Sequence, residues 1–124
     1  MPRNAITSDT LPPSPGPFSA GVRGGGLIYL SGQIGTDPET DRLAGGVAEQ
    51  TEQALHNLAA ILEAAGRTLD DVVRVGVYLT DMANFAAMNE VYARHFSAPY
   101  PARTTIGVAA LPLGAAVEID LVAE

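Results

Sequence analysis

The chain has 124 residues and a net charge of −7 at pH 7, and it contains neither cysteine nor lysine. This length supports one domain with a single core, and a hydrophobic content of 47% indicates a chain that folds. The missing residue types exclude disulfides, thiolate metal sites and Schiff-base catalysis, and the acidic charge argues against nucleic-acid binding.

The N-terminal segment predicts an arm rather than part of the core. Residues 1–17 are rich in proline and serine, which is typical of an extended or mobile segment, so the domain is predicted over 18–124. The segment lacks the apolar stretch of a signal peptide, and no run of apolar residues approaches the roughly 20 needed to span a membrane. The sequence therefore predicts a cytoplasmic protein without membrane contact.

The remaining elements follow in the order ββαβαββ. Short strands are predicted at 18–22 and 27–31, around a glycine turn that leads into a strand and so does not suit a phosphate loop. A helix is predicted at 47–65 because apolar residues recur at helical spacing. After it come a strand at 72–79, a second helix capped by Asp81, and a final stretch at 100–124 that is interpreted as a β-hairpin. This order predicts an α+β two-layer sandwich, a mixed sheet with two helices on one face.

Two helices cover only one face of such a sheet. The opposite face is predicted to carry Tyr78 and the small residues Gly76 and Gly107, and a face of this kind is normally closed by another subunit. The pattern therefore predicts a homo-oligomer with its sites near the interface.

Arg103 is the residue that most needs an explanation. Its guanidinium presents paired donors that match a carboxylate. From the pattern alone, two alternatives stay open: a structural ion pair with Glu118 or Asp120 across the predicted hairpin, or a site for a bound anion. Glu118 likewise either orients a water molecule or neutralises an arginine.

The other chemically active side chains are predicted to be structural. His56 falls on a solvated helix face, and His95 is predicted at a helix C-terminus, where a cation suits the helix dipole. The two histidines are predicted to lie apart, without clustered carboxylates, so no metal site is predicted. Ser31 has no evident His-Asp partners for a catalytic triad.

Several blocks of sequence carry a resemblance to a known family. They include G-P-F at 16–18, Y-L-S-G-Q at 29–33, V-G-V-Y-L-T-D at 75–81, P-A-R-T-T at 101–105, L-P at 111–112 and V-E-I-D at 117–120. In these blocks and in their spacing over 16–124, the chain resembles the Rid family of reactive-intermediate deaminases.

The resemblance implies a fold, an assembly and a reaction. The fold is chorismate-mutase-like, and the assembly is a homotrimer whose sheets form a central barrel, with a ligand cleft at each subunit interface. The implied reaction is hydrolysis of 2-imino acids, such as the imine of 2-aminoacrylate, to 2-keto acids and ammonia. No cofactor and no metal are predicted.

The resemblance also assigns roles to individual residues. It implies that Arg103 binds the substrate carboxylate, and the hypothesis that follows is that Glu118 orients the attacking water, with help from the backbone near Thr105. Ser31 and Asn89 match cleft positions, whereas Phe18 and Phe85 supply apolar walls. The chain departs from well-studied members at two positions: Phe18 is often tyrosine there, and Thr105 is often cysteine.

Three alternative functions are weighed against this reading. One is a non-catalytic protein that binds small carboxylates in the same cleft, and another is a pathway-specific deaminase acting on a different imine or enamine. RNA cleavage is disfavoured because the chain carries a net charge of −7 and no lysine.

Overall fold

The computed structural model describes residues 3–124 as one sheet covered by helices. Its strands are β1 (Asn4–Ala5), β2 (Gly21–Gly24), β3 (Leu27–Ile34), β4 (Val72–Leu79), β5 (Ala102–Gly107) and β6 (Val117–Ala123), and its α-helices are α1 (Val47–Ala64) and α2 (Phe85–Tyr92). The strand order is β1-β2-β3-β6-β4-β5, with β4 and β5 parallel and every other neighbouring pair antiparallel. The predicted α+β architecture with a mixed sheet is confirmed.

The core lies between the helices and one face of the sheet. α1 begins after Gly46 and ends before Gly66, which has a positive φ of 75° that favours glycine. Its buried side chains recur at helical spacing and meet the alternate, fully buried residues of the central strands. They are Gln50, Thr51, Ala54, Leu55, Leu58, Ile61 and Leu62.

No helix within residues 3–124 is long and apolar enough to cross a membrane.

Gln50 is a buried polar residue that the sequence did not single out. Its amide nitrogen donates to the carbonyl of Gly45, and its amide oxygen accepts from the backbone N–H of Ala116. These bonds tie the start of α1 to the segment that enters β6. Both ends of the buried amide are thereby satisfied, which is the condition for burying it at low cost.

We expect Gly35→Ala to lower the free energy of unfolding by about 1–3 kcal/mol. A Cβ at Gly35 would lie 2.5 Å from both the Cα and the carbonyl oxygen of Gln50, so backbone has to move to admit it. Urea denaturation measures the loss. Gly45→Ala is the matched control, because its added Cβ meets nothing closer than 3.8 Å; equal losses in the two variants would contradict the close-approach explanation.

The predicted C-terminal hairpin is wrong. β5 pairs in parallel with β4, whereas β6 lies between β3 and β4 and pairs with both. Alternate residues of β6 from Val117 to Ala123 are buried, which suits a central strand, while β5 is mostly exposed and forms the edge of the sheet. The Pro-Gly turn at 112–114 therefore belongs to a connection that leads from the edge strand back to the centre.

The N-terminal segment also differs from its prediction. Asn4 and Ala5 form an edge strand against β2, and Ile6 is only 6% exposed within the core. Residues 4–6 are thus part of the domain, because an apolar side chain and a free sheet edge are both available to them. Residues 1–2 of the predicted arm lie outside the described residues.

Two features of the predicted strands need correction as well: one boundary and the burial of one side chain. The strand predicted from Phe18 begins only at Gly21, so Phe18 lies in the bend before it. Strict alternation along β4 would bury Val73 together with Val75, but Val73 is 41% exposed. The register of β4 against β6 shifts between Val72 and Arg74, and this bulge turns Val73 outward.

Candidate functional site

Arg103 is held by three side chains of α2. Its Nη1 donates to Oδ1 of Asn89 at 2.7 Å, and its Cζ lies 4.6 Å from the ring centroid of Tyr92 and 5.6 Å from that of Phe85. Phe85, Asn89 and Tyr92 are spaced four and three residues apart, so they share one side of the helix. α2 therefore forms the wall against which the guanidinium lies.

The predicted ion pair across a hairpin does not form. Neither Glu118 nor Asp120 makes an ion pair with Arg103 in the structure of residues 3–124. The reason is topological: Arg103 pairs with Val75 and Glu118 pairs with Tyr78, and side chains three positions apart on β4 point to opposite faces. Of the two alternatives left open by the sequence, the geometry favours an anion site.

Thr105 lies on the same face of β5 as Arg103, two residues further along. Its hydroxyl oxygen is buried and has no hydrogen-bond partner within residues 3–124. Buried hydroxyl groups without a partner are uncommon. Thr105 is thus a second polar group beside Arg103 whose bonding capacity the chain itself does not use.

Glu118 lies on the sheet face opposite the helices, beside Gly32. A Cβ at Gly32 would come within 2.5 Å of Oε2 of Glu118, so the carboxylate occupies the space that any larger residue would fill. Partial burial raises the pKa of Glu118 above its ordinary value, and the charge of Asp120 raises it further. A carboxylate that binds its proton more readily than usual is suited to exchanging protons with a bound molecule.

The same open face carries further polar groups. The hydroxyl of Tyr78 donates to Asp120 at 2.9 Å, and this hydrogen bond, aided by burial, raises the pKa of the phenol. The side chains of Tyr29 and Ile106 are each 45% exposed on this face. The predicted uncovered face therefore exists and mixes charged with large apolar side chains. Gly107 was wrongly assigned to it: Gly107 pairs with the buried Leu79 and lies on the helix side of the sheet.

Ser31 lies next to the contact between Gly32 and Glu118, and it is bonded to the bend that contains Phe18. The hydroxyl of Ser31 donates to the carbonyl of Ser19 at 2.6 Å, which links β3 to the bend that contains Phe18. The ring of Phe18 is 49% exposed. Ser31 directly precedes Gly32, which packs against Glu118.

The predicted site residues thus fall into two groups within one chain. The Arg103 group contains Phe85, Asn89, Arg103 and Thr105, and the Glu118 group contains Phe18, Ser31 and Glu118. The two groups are separated by β4 and by the thickness of the sheet. Within a single copy, Arg103 and Glu118 do not face the same ligand.

Sequence reasoning missed Tyr92 as a site residue. It is 5% exposed, yet its ring contacts the guanidinium of Arg103. The available signal was its helical spacing from Asn89, the residue that accepts the hydrogen bond from Arg103.

The two histidines also lie closer together than predicted. Nε2 of His56 lies 3.2 Å from Oε2 of Glu52, Nε2 of His95 lies 2.5 Å from the same oxygen, and the ring centroids are 5.9 Å apart. This cluster joins α1 to the segment after α2, so the prediction that the histidines lie apart without a carboxylate is wrong. No group of three or more His, Asp or Glu side chains that could hold a metal ion is found within residues 3–124.

A cavity of about 320 Å³ contains none of the predicted site residues. It lies beside the glycine turn between β2 and β3 and is flanked by Arg23 and Arg67. Arg23 donates to the carbonyl of Ala65 at 2.9 Å, and Arg67 donates to the carbonyl of Glu124 at 3.0 Å. These arginines satisfy backbone carbonyls at the end of α1 and at the C-terminal strand, which is a structural role.

Comparisons of sequence and of structure with known proteins agree on the family of this chain. The family model described as endoribonuclease L-PSP matches residues 9–124. The human protein named 2-iminobutanoate/2-iminopropanoate deaminase is 44% identical over 122 residues, covering 98% of this chain and 89% of its own. The crystal structure of RidA from the Antarctic bacterium Psychrobacter is 47% identical with a TM-score of 0.92, covering 98% of both chains. E. coli TdcF, solved with bound serine, is 35% identical with a TM-score of 0.90 over 97% of both chains.

Proposed function

The chain belongs to the Rid family, whose family model is described as endoribonuclease L-PSP, and from this we propose that it hydrolyses 2-imino acids to 2-keto acids and ammonia. Relatives that match nearly the whole chain are named as deaminases of 2-iminobutanoate and 2-iminopropanoate. The observation in this chain that carries the proposal is Arg103, which makes a single hydrogen bond to protein within residues 3–124.

Arg103 binds the carboxylate of the substrate. One edge of the guanidinium is engaged by Asn89, which leaves donors in a planar fork that suits the two oxygens of a carboxylate. The unpartnered hydroxyl of Thr105 on the same face supplies a further polar contact for the ligand. Phe85 covers the adjacent apolar surface, because its ring lies beside the same guanidinium.

Glu118 orients the attacking water. An imine carbon is already electrophilic, so hydrolysis needs a positioned water and a group that exchanges protons rather than a strong nucleophile. The water adds to the imine carbon, Glu118 takes its proton, and that proton passes to the imine nitrogen. The hydroxyl proton of the adduct then passes to its amino nitrogen, again through Glu118, and the carbon–nitrogen bond breaks as the carbonyl forms, which releases ammonia and leaves the 2-keto acid. The raised pKa of Glu118 suits both halves of this proton transfer.

The site is completed by a second copy of the chain. In a 2-imino acid the carboxylate is bonded directly to the imine carbon, so the groups that act on these two positions must lie within a few ångströms of each other. One copy carries the Arg103 group and the Glu118 group on opposite faces of its sheet. We therefore infer that a second copy completes the cleft, so that Arg103 of one copy meets Glu118 of the next, and Phe18 and Ser31 line the Glu118 side. The resemblance to the Rid family implies that the assembly is a homotrimer with inter-subunit clefts.

RNA cleavage, the activity that the family name endoribonuclease L-PSP implies, is not favoured for this chain. The net charge is −7, and Arg23 and Arg67 are engaged by backbone carbonyls rather than forming a free basic surface. A cytoplasmic location stays a prediction.

We expect the purified protein to accelerate release of 2-oxobutanoate when 2-iminobutanoate is generated in situ by an amino acid oxidase. The same preparation should sediment as an oligomer, because the site needs two copies, and as a trimer if the assembly implied by the family resemblance forms. A protein that binds 2-oxobutanoate without accelerating its release is a carboxylate binder, and a monomer at micromolar concentration contradicts the shared site. Cleavage of a test RNA at the same enzyme concentration would favour the alternative activity.

A further inference from the structure

We propose that Tyr92 is the positioning residue of Arg103: its ring is a platform that fixes the plane of the guanidinium, so that the donors not used by Asn89 keep one orientation. The inference rests on the proposed function for its substrate but concerns a residue to which no role was assigned by the sequence. It names what holds the carboxylate-binding group in place.

The first argument is geometric. Cζ of Arg103 lies 4.6 Å from the ring centroid of Tyr92, which is within the range of a cation–π contact and is shorter than the 5.6 Å to Phe85. A hydrogen bond to Asn89 alone constrains one nitrogen of the guanidinium and leaves the group free to rotate about that contact. Contact with the face of an aromatic ring restricts this rotation, so the two contacts together define the orientation of the fork.

The second argument is the rigidity of the platform. Tyr92 is 5% exposed, and its ring packs against that of Phe96 with centroids 4.6 Å apart. A side chain enclosed in this way keeps one rotamer. Arg103, by contrast, extends from an edge strand and is only half-buried, so it has to be held from outside its own strand.

The third argument is the charge state. Burial raises the pKa of the Tyr92 hydroxyl, and the positive charge of Arg103 offsets part of that rise. The phenol is therefore neutral at physiological pH. Its hydroxyl makes no hydrogen bond of good geometry within residues 3–124, although it lies close enough to Arg103 to influence its pKa. The guanidinium lies over the ring at 4.6 Å, so the ring is the surface that supports it.

The test separates the ring from the hydroxyl. Tyr92→Leu removes the platform, and we expect it to raise the Kd for 2-oxobutanoate, measured by calorimetry, and the KM for 2-iminobutanoate by about 5–30-fold each, as for loss of a partly desolvated cation–π contact. Tyr92→Phe keeps the ring and should leave both constants within about twofold of wild type. Phe96→Leu is the matched control, because it removes an aromatic ring from the same cluster without touching Arg103.

Each outcome decides the proposal. Weak binding by Tyr92→Leu, with normal binding by Tyr92→Phe and Phe96→Leu at comparable thermal stability, supports it. Equal losses in Tyr92→Phe and Tyr92→Leu assign the effect to the hydroxyl and overturn it, and equal losses in Phe96→Leu assign it to core packing and overturn it too.

A readout that needs no ligand keeps the inference separate from the proposed function. The Nε–H signal of Arg103 in ¹⁵N NMR should be sharp and well dispersed in the wild type and in Tyr92→Phe, and should approach the signal of a mobile arginine in Tyr92→Leu. If the protein does not hydrolyse imines, the proposed function fails while this comparison still decides the role of Tyr92. An unchanged Arg103 signal in Tyr92→Leu overturns the inference even in a fully active enzyme.

Discussion

Replacing Arg103 with glutamine should lower kcat/KM for 2-iminobutanoate by a factor on the order of 100 to 1,000. Glutamine still reaches toward Asn89 but has neither the charge nor the fork that binds a carboxylate. Arg103 makes one hydrogen bond and no ion pair within residues 3–124. Its removal therefore leaves few protein groups without a bonding partner. The loss should therefore appear in catalysis and substrate affinity, with a melting temperature close to that of the wild type.

Two further variants sharpen this expectation. Arg103→Lys keeps the charge as a compact ammonium, and we expect it to recover only part of the lost activity because it cannot bind both carboxylate oxygens in one plane. Arg94→Gln is the matched control: it removes the same charge from the segment after α2, where the exposed Arg94 pairs with the exposed Glu90. Full activity in Arg103→Gln, measured in the coupled assay, would falsify the carboxylate role.

The local elements of this fold follow directly from the sequence, whereas its strand pairing does not. Helical periodicity with a terminal glycine predicts α1, and period-two alternation predicts β4 and β6, because both patterns depend on neighbours in the chain. Pairing of β5 with β4 in parallel depends on which strand edge is free after the helices have packed. A Pro-Gly turn between two strands indicates a hairpin locally, and only the tertiary arrangement shows that β6 returns to the centre.

The same distinction applies to the candidate site. Family resemblance identified Arg103 and Glu118, but placing them on opposite faces required the register of β4 with both neighbours. Tyr92 escaped notice because an aromatic residue at helical spacing is interpreted as core, and it is indeed buried. Tyr92 is both a core residue and a contact of Arg103. A sequence pattern that classifies residues as either buried or functional does not identify a residue that is both.

Replacing Glu118 with glutamine should lower kcat for 2-iminobutanoate by about 100-fold or more, since glutamine cannot accept the proton of the attacking water. The variant should at the same time be more stable than the wild type at neutral pH. Burial and the charge of Asp120 raise the pKa of Glu118 in the folded protein, so the ionised form is held less favourably there than in the unfolded chain. A neutral amide of the same shape removes that penalty.

The pH dependence has a definite sign. For an acid whose folded pKa is raised, the stabilising contribution belongs to the protonated form: it is complete below the unfolded pKa, near the ordinary value of 4.5, and is lost as the pH rises through the folded pKa. The stability advantage of Glu118→Gln should therefore be largest at neutral pH and disappear as the pH falls to the ordinary value. Thermal unfolding at a series of pH values measures this difference, and an advantage that grows toward acid pH contradicts the assignment.

Asp120 offers an independent way to move the same titration. Asp120→Asn removes the charge that helps to raise the pKa of Glu118, while its amide oxygen still accepts the hydrogen bond from Tyr78. Wild-type kcat/KM should fall at acid pH as Glu118 becomes protonated, and in Asp120→Asn this acid limb should shift to lower pH. If the acid limb of the pH profile does not move in Asp120→Asn, another group exchanges the proton. The same conclusion follows if the acid limb persists unchanged in the residual activity of Glu118→Gln. If, as proposed, Glu118 of one copy acts on a substrate held by Arg103 of another, the activity should be lost when the protein is diluted into monomers.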